Sequence, residues 1–152
     1  RDCLVLPGAS RKTDLVPALE LASRTLRRHA IVFVVSDFLS DGWEQALSLC
    51  ARRHDVIAVR LLPPELAPRA AGLVRLVDPE TGERFVADTS SATARAAYAE
   101  RVDAWRVRTE RALRKAGVDR MDVPVPRVRG GADLVDPILR FFRMRELRGA
   151  KR

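Results

Sequence analysis

Asp37 is the first acid after an uncharged apolar run, AIVFVVS, that extends from Ala30 to Ser36. A carboxylate fixed at the end of a stiff apolar segment can bind a divalent cation without rearranging. Thr13 and Asp14 stand side by side ahead of another stretch with helical apolar spacing. They add a hydroxyl and a second carboxylate. One carboxylate and one hydroxyl, with water completing the shell, suit an oxygen-loving ion such as Mg²⁺. A plainer reading competes: Asp14 and Asp37 cap helices or terminate a strand, as acids at such ends commonly do. Spacing alone leans to the plainer reading.

Other chemistries find less support. There is no Gly-rich phosphate fingerprint and no lysine-bearing phosphate loop. His29 and His54 each fall just before a strand, at its amino end, and read as cap or surface histidines. Asp37 and Asp41 are four apart, which does not match a paired-carboxylate phosphotransfer motif. No nucleophile, histidine and acid can be assembled from adjacent loops. Trp43 and Trp105 fit helical stripes and read as core.

The elements that must position these residues follow from periodicity. Thr13 or Asp14 caps a helix to about Arg28, with Pro17 in its first turn and Leu15, Leu19, Ala22 and Leu26 as its buried stripe. Residues 30–38 read as a parallel strand buried on both faces, the central one of its sheet. Ser40 or Asp41 caps a helix carrying Trp43, Ala46, Leu47 and Cys50. Residues 55–62, DVIAVRLL, form a second strand, which completes a crossover unit. Residues 73–77 and 84–87 flank DPETGE and predict a hairpin beside the main sheet. Residues 88–91 offer caps for a long helix to Ala116, closed by Gly117. Its Arg-bearing face is interleaved with Glu100, Asp103 and Glu110 and reads as solvated. Residues 118–125 make a third strand that Pro124 and Pro126 push toward an edge. Gly130 and Gly131 form a loop, and residues 132–145 a last helix. The expected class is α/β: a partial doubly wound, Rossmann-like sheet of three main parallel strands, with flanking helices and an inserted β-hairpin.

The chain has 152 residues, 47% apolar and 32% charged, which suits one globular domain with a real core. Two cysteines are too few for a disulfide framework, so a reducing, cytoplasmic setting is expected. No apolar run is long enough to span a bilayer. The net charge is +8, and residues 139–152 hold +5 of it, from six basic residues and Glu146. That tail reads as a solvated end rather than a nucleic-acid footprint, and no nucleic-acid partner is expected.

Five stretches together resemble a known family. They are KTDLVPAL (12–19), IVFVVSDFLSDGWEQAL (31–47), RRHDVIAVRLLPPEL (52–66), GLVRLVDPETGERFVADTS (72–90) and RFFRMR (140–145). The chain resembles the bacterial DUF fifty-eight family, whose members carry a von Willebrand factor A-like domain. The resemblance implies a Mg²⁺-dependent adhesion site, with Thr13 at its threonine position and Asp37 at its aspartate. It implies a protein-binding role rather than an enzymatic one, with a MoxR-type AAA+ ATPase as partner. The D-x-S-x-S loop of such sites does not occur in these residues. Residues 1–146 are therefore expected to be the C-terminal portion of one such domain, with an incomplete metal site that lacks bound Mg²⁺. Residues 147–152 are expected to be a disordered basic tail. A strand left without its upstream neighbour should self-associate from Ile31 through Val35. Two alternatives remain on the sequence: a doubly wound hydrolase or phosphotransferase using Asp37, and a basic nucleic-acid-binding domain.

Overall fold

The computed structural model describes residues 13–67, 69–78, 80–125 and 132–149. Helix α1 (Val16–Thr25) leads into strand β1 (Ile31–Ser36), helix α2 (Trp43–Ala51) and strand β2 (Asp55–Leu62). Strands β3 (Leu73–Val77) and β4 (Arg84–Asp88) form an antiparallel hairpin of their own. Helix α3 (Ala92–Lys115), strand β5 (Asp119–Pro124) and helix α4 (Ala132–Gly149) complete the order. The main sheet is parallel, ordered β1-β2-β5. The fold is mixed α/β, with three parallel strands and flanking helices, as the periodicity predicts.

The predicted centre of the sheet lies one strand too early. β2 is central and buried on both faces from Val56 to Arg60. Among the described strands β1 lies at an edge, and its odd-numbered residues are open: Ile31 is 62% exposed, Phe33 48% and Val35 59%. The reason is physical. A continuous apolar run says that a strand can be covered on both faces, not that anything covers it. α1, α2 and α3 pack on the face carrying Val34, Val56 and Ala58. On the other face α4 places Phe141 against Ile57, Val59, Met121 and Val123, over β2 and β5, and reaches β1 through Phe142 beside Phe33.

Local chemistry sets the element ends. Ser91 caps α3, its Oγ accepting from Ala94 N at 3.2 Å. Gly117, at φ 70°, closes it in a Schellman motif: Gly117 N donates to Arg114 O and Val118 N to Leu113 O. α1 is shorter than expected and stops at Thr25; Asp14 Oδ1 accepts from Val16 N at 3.0 Å, the cap-like bond the sequence offers. Of its stripe, Leu19 is buried while Leu26 is exposed. Neither Ser40 nor Asp41 caps α2. Gly42 does so with a left-handed backbone, φ 84°, which a side chain would strain. Trp43 and Trp105 are core, as predicted, and Cys50 is buried with them. His54 is buried rather than superficial, and neither ring nitrogen has a partner among the described residues.

The basic end is also more ordered than predicted. α4 runs through Gly149, so Leu147, Arg148 and Gly149 are helical rather than part of a disordered tail. Arg145 Nη2 meets Asp55 Oδ2 at 2.6 Å, and Arg148 Nη1 meets Asp119 Oδ1 at 3.3 Å. These pairs fasten the helix to the amino ends of β2 and β5. The predicted loops at 7–10 and at Gly130-Gly131 lie outside the described residues, as do residues 150–152.

The asymmetry of the sheet has a measurable consequence. Ile57→Ala, in the fully buried centre, should lower unfolding stability in urea by about 2–5 kcal/mol. Ile31→Ala, on the open face, should change it by less than about 0.5 kcal/mol. Similar losses for both would contradict the observed burial.

Candidate functional site at the carboxyl edge of the sheet

One residue from each strand forms a polar row near the carboxyl edge. Ser36 of β1 pairs in register with Arg60 of β2, and Arg60 with Asp122 of β5. Arg60 grips Asp122 with two bonds, Nε to Oδ1 at 2.8 Å and Nη2 to Oδ2 at 2.7 Å. The Arg60 side chain is 4% exposed and that of Asp122 32%. A planar guanidinium fits a carboxylate in this forked way, which a lysine could not do. Arg60 also lies under the Trp105 ring, 5.3 Å from its centroid, and Nη1 donates to Arg106 O at 3.4 Å. Asp122 receives a second cation: Arg120 Nε is 3.3 Å from Oδ1. Sequence reasoning missed this pair. The signal available was an arginine inside the apolar run DVIAVRLL, a charge that burial obliges to find a partner.

The row supports the loop that carries Asp37. Ser36 Oγ accepts from Phe38 N at 3.0 Å. Trp105 Nε1 donates to Phe38 O at 3.1 Å. Phe38 has φ 58°, the only non-glycine residue with positive φ among those described. For a bulky side chain this costs about 1–2 kcal/mol. Burial of the ring against Trp43, edge-on at 5.1 Å, offsets the strain. Asp37 is half-buried, and its Oδ1 accepts from Leu39 N at 3.0 Å. Its Oδ2 has no partner among the described residues. The loop is thus held at three points and presents one uncommitted carboxylate oxygen.

Thr13 lies three residues ahead of α1 and is exposed. Its backbone N–H donates to Glu80 Oε1 at 2.8 Å, which ties it to the turn of the β3–β4 hairpin. That turn is itself well formed: Asp78 Oδ1 accepts from Glu80 N at 2.8 Å and from Thr81 N at 3.2 Å. The Glu80 and Thr81 backbone N–H groups hold the Asp78 carboxyl below the usual 3.8. No bond joins Thr13 to Asp37 among the described residues. Nor do three His, Cys, Asp or Glu side chains gather there to hold a metal ion. Mg²⁺ demands near-octahedral oxygen coordination. One carboxylate oxygen and one hydroxyl do not fill that shell without donors from elsewhere.

Two outcomes follow from this geometry. Asp122→Ala leaves Arg60 buried without its partner and should lower stability by about 3 kcal/mol in urea unfolding. Asp37→Ala loses one edge bond and should cost no more than about 1 kcal/mol. Equal costs would remove the distinction between the supporting row and the presented acid. The second outcome concerns Glu110, 3.0 Å from Arg120 and 2.8 Å from Arg114. Hydrogen bonding to Arg120, then the Arg120 charge, holds its carboxyl below 4.5. A lowered value means that its stabilising contribution is present above the unfolded value and is lost as pH falls through the folded one. Arg120→Gln should raise the Glu110 titration toward 4.5 when followed by carboxyl-carbon NMR. An unmoved titration would contradict the assignment.

Comparison with known proteins places this chain among relatives. The family model for DUF58, a protein of unknown function, matches residues 4–108. The uncharacterized protein MAV169 of Mycobacterium avium is 33% identical over 141 residues, covering 90% of this chain and 78% of the relative. Uncharacterized proteins Rv1480 of Mycobacterium tuberculosis and Mb1516 of Mycobacterium bovis are each 32% identical over 148 residues. The match covers 93% of this chain but only 43% of those two relatives, so the chain spans less than half their length. No solved structure matches it. The chain belongs to the DUF58 family.

Proposed function

We propose that the chain is a non-enzymatic protein-interaction module of von Willebrand A-like type, and that its recognition surface is the carboxyl edge carrying Asp37. The observation that carries this reading is the loop at Phe38. A strained backbone, buttressed by Ser36, Trp43 and Trp105, fixes the direction of Asp37 before any partner arrives. Preorganisation of this kind lowers the ordering cost of binding. Three polar groups of the row beneath it are committed to structure. Ser36 Oγ holds Phe38, and Arg60 and Asp122 hold each other.

The partner class that the family resemblance implies is a MoxR-type AAA+ ATPase, for which the module would serve as an adaptor. Thr13, which the same resemblance assigns to the site, would contribute its hydroxyl, its backbone being tied to the hairpin turn. A Mg²⁺ ion at this edge belongs to the same resemblance and needs donors beyond the described residues, so no step here is routed through it.

The test is direct binding of a MoxR-type ATPase to the immobilised chain, with and without Mg²⁺. Asp37→Lys should weaken binding at least about tenfold, because a reversed charge at a fixed contact is repulsive. The unfolding midpoint should stay near that of the parent chain. Equal affinity of parent and variant would overturn the role of Asp37. Affinity unchanged by Mg²⁺ would leave the surface but remove the ion.

A further inference from the structure

The amino edge of the sheet, opposite the edge of Asp37, carries a second charged feature. A cavity of about 190 Å³ opens there between α3, β5 and α4. Guanidiniums from all three elements line it: Arg114 of α3, Arg120 of β5, and Arg145 and Arg148 of α4. Two carboxylates stand among them, Glu110 and Asp119.

The charges around this cavity do not balance. Arg145 Nη2 is matched by Asp55 Oδ2 at 2.6 Å. Asp122 is gripped by both arms of Arg60 before Arg120 Nε reaches it at 3.3 Å. Arg114, Arg120 and Arg148 then remain with Glu110 and Asp119. Glu110 serves two of them, Arg114 at 2.8 Å and Arg120 at 3.0 Å. Asp119 meets Arg148 at 3.3 Å and also faces Arg145 Nε at 3.4 Å. Each carboxylate is shared, and one guanidinium is in excess. Arg120 Nη1 shows the shortfall. It is shut off from solvent and makes no aligned hydrogen bond, although Glu110 Oε2 lies 3.0 Å away. An unfilled donor at such a place costs free energy until an acceptor arrives.

We propose that this cavity binds a phosphoryl group, as free phosphate or as a phosphomonoester. The size fits. At about 30 Å³ per water the cavity holds about six waters, or one phosphoryl group with part of its shell. The charge fits too, since such a group carries about −1.5 to −2 near pH 7. A planar carboxylate is satisfied by one guanidinium fork. A phosphoryl group has three peripheral oxygens, which guanidiniums on three elements can meet together. Arg120, 28% exposed, is the anchored member, while Arg114 and Arg148 are largely open to solvent and can close on the ligand. The positive field is already felt by Glu110, whose carboxyl Arg120 and then Arg114 hold low. The proposal is independent of the reading of Asp37, because none of these residues lies in that loop.

Titration of the full chain with sodium phosphate at about pH 7.5 tests this, read by proton–nitrogen NMR at the Arg114, Asp119 and Arg120 amides. Sodium chloride at equal ionic strength serves as the reference for general screening. Saturating shifts are expected with phosphate alone, half-complete near about 1 mM. Arg120→Gln and Arg148→Gln should each weaken binding at least about fivefold through a lost charge-assisted bond. Arg140→Gln, further up α4 and paired with Asp136, should leave it unchanged. Arg148 is largely exposed, so its variant keeps the fold. Blocked phosphoserine binding more tightly than phosphate identifies a modified side chain as the source of the group. Binding no tighter identifies the free ion. Shifts that follow chloride, or that do not saturate by about 20 mM phosphate, overturn the proposal. Affinity unchanged by Arg148→Gln overturns it equally.

Discussion

A guanidinium group sits in the central strand of this sheet, where water scarcely reaches it. An unpaired charge there would cost several kcal/mol, so Arg60 must be matched. Asp122 matches it, and that pairing accompanies the register of β5 against β2. The remaining faces of the guanidinium are taken by the Trp105 ring and by Arg106 O, both on α3. Trp105 then has its indole N–H aimed at Phe38 O. From one buried charge a line of contacts leads through α3 to the loop that presents Asp37. A buried ion pair is weak support for stability as such, because a well-packed apolar trio can do as well. What it specifies here is position.

Much of the architecture is legible in the sequence because it rests on local signals. DVIAVRLL, the DPETGE turn, Ser91 and Gly117 each carry a mechanism: β-branched apolar runs, turn chemistry, a hydroxyl cap and a left-handed cap. The observed ends match these to within a residue or so. What was not legible depends on partners distant in sequence. The exposure of Ile31, Phe33 and Val35 depends on where α4 lies, more than 90 residues later in the chain. The fastening of Arg145 depends on Asp55, and that of Arg60 on Asp122. A basic tail and an arginine within a strand look alike in a composition count. Only the fold distinguishes a solvated charge from a structural one.

Asp37 was legible as an acid at a strand end, and the plainer reading of it holds in part, since Oδ1 accepts from Leu39 N. The structure adds Phe38. A phenylalanine in left-handed conformation has no signal in a single sequence, and its tolerance here comes from Trp43 and Trp105. Membership of the DUF58 family fixes kinship, not activity, and fold does not determine function. The functional reading therefore rests on the loop. The border of the sheet that this reading uses is its carboxyl edge, where the Phe38 loop presents Asp37.

Trp105 holds the Asp37 loop through its bond to Phe38 O. Nitrogen-15 relaxation of the Asp37, Phe38 and Leu39 amides, in the parent chain and in Trp105→Phe, tests it most directly. The variant keeps an aromatic ring and loses the indole donor. The account predicts order parameters near 0.85 for the parent loop, as in rigid backbone, and a fall toward about 0.6 in the variant. A loop already mobile in the parent, or equally rigid in both, would contradict it.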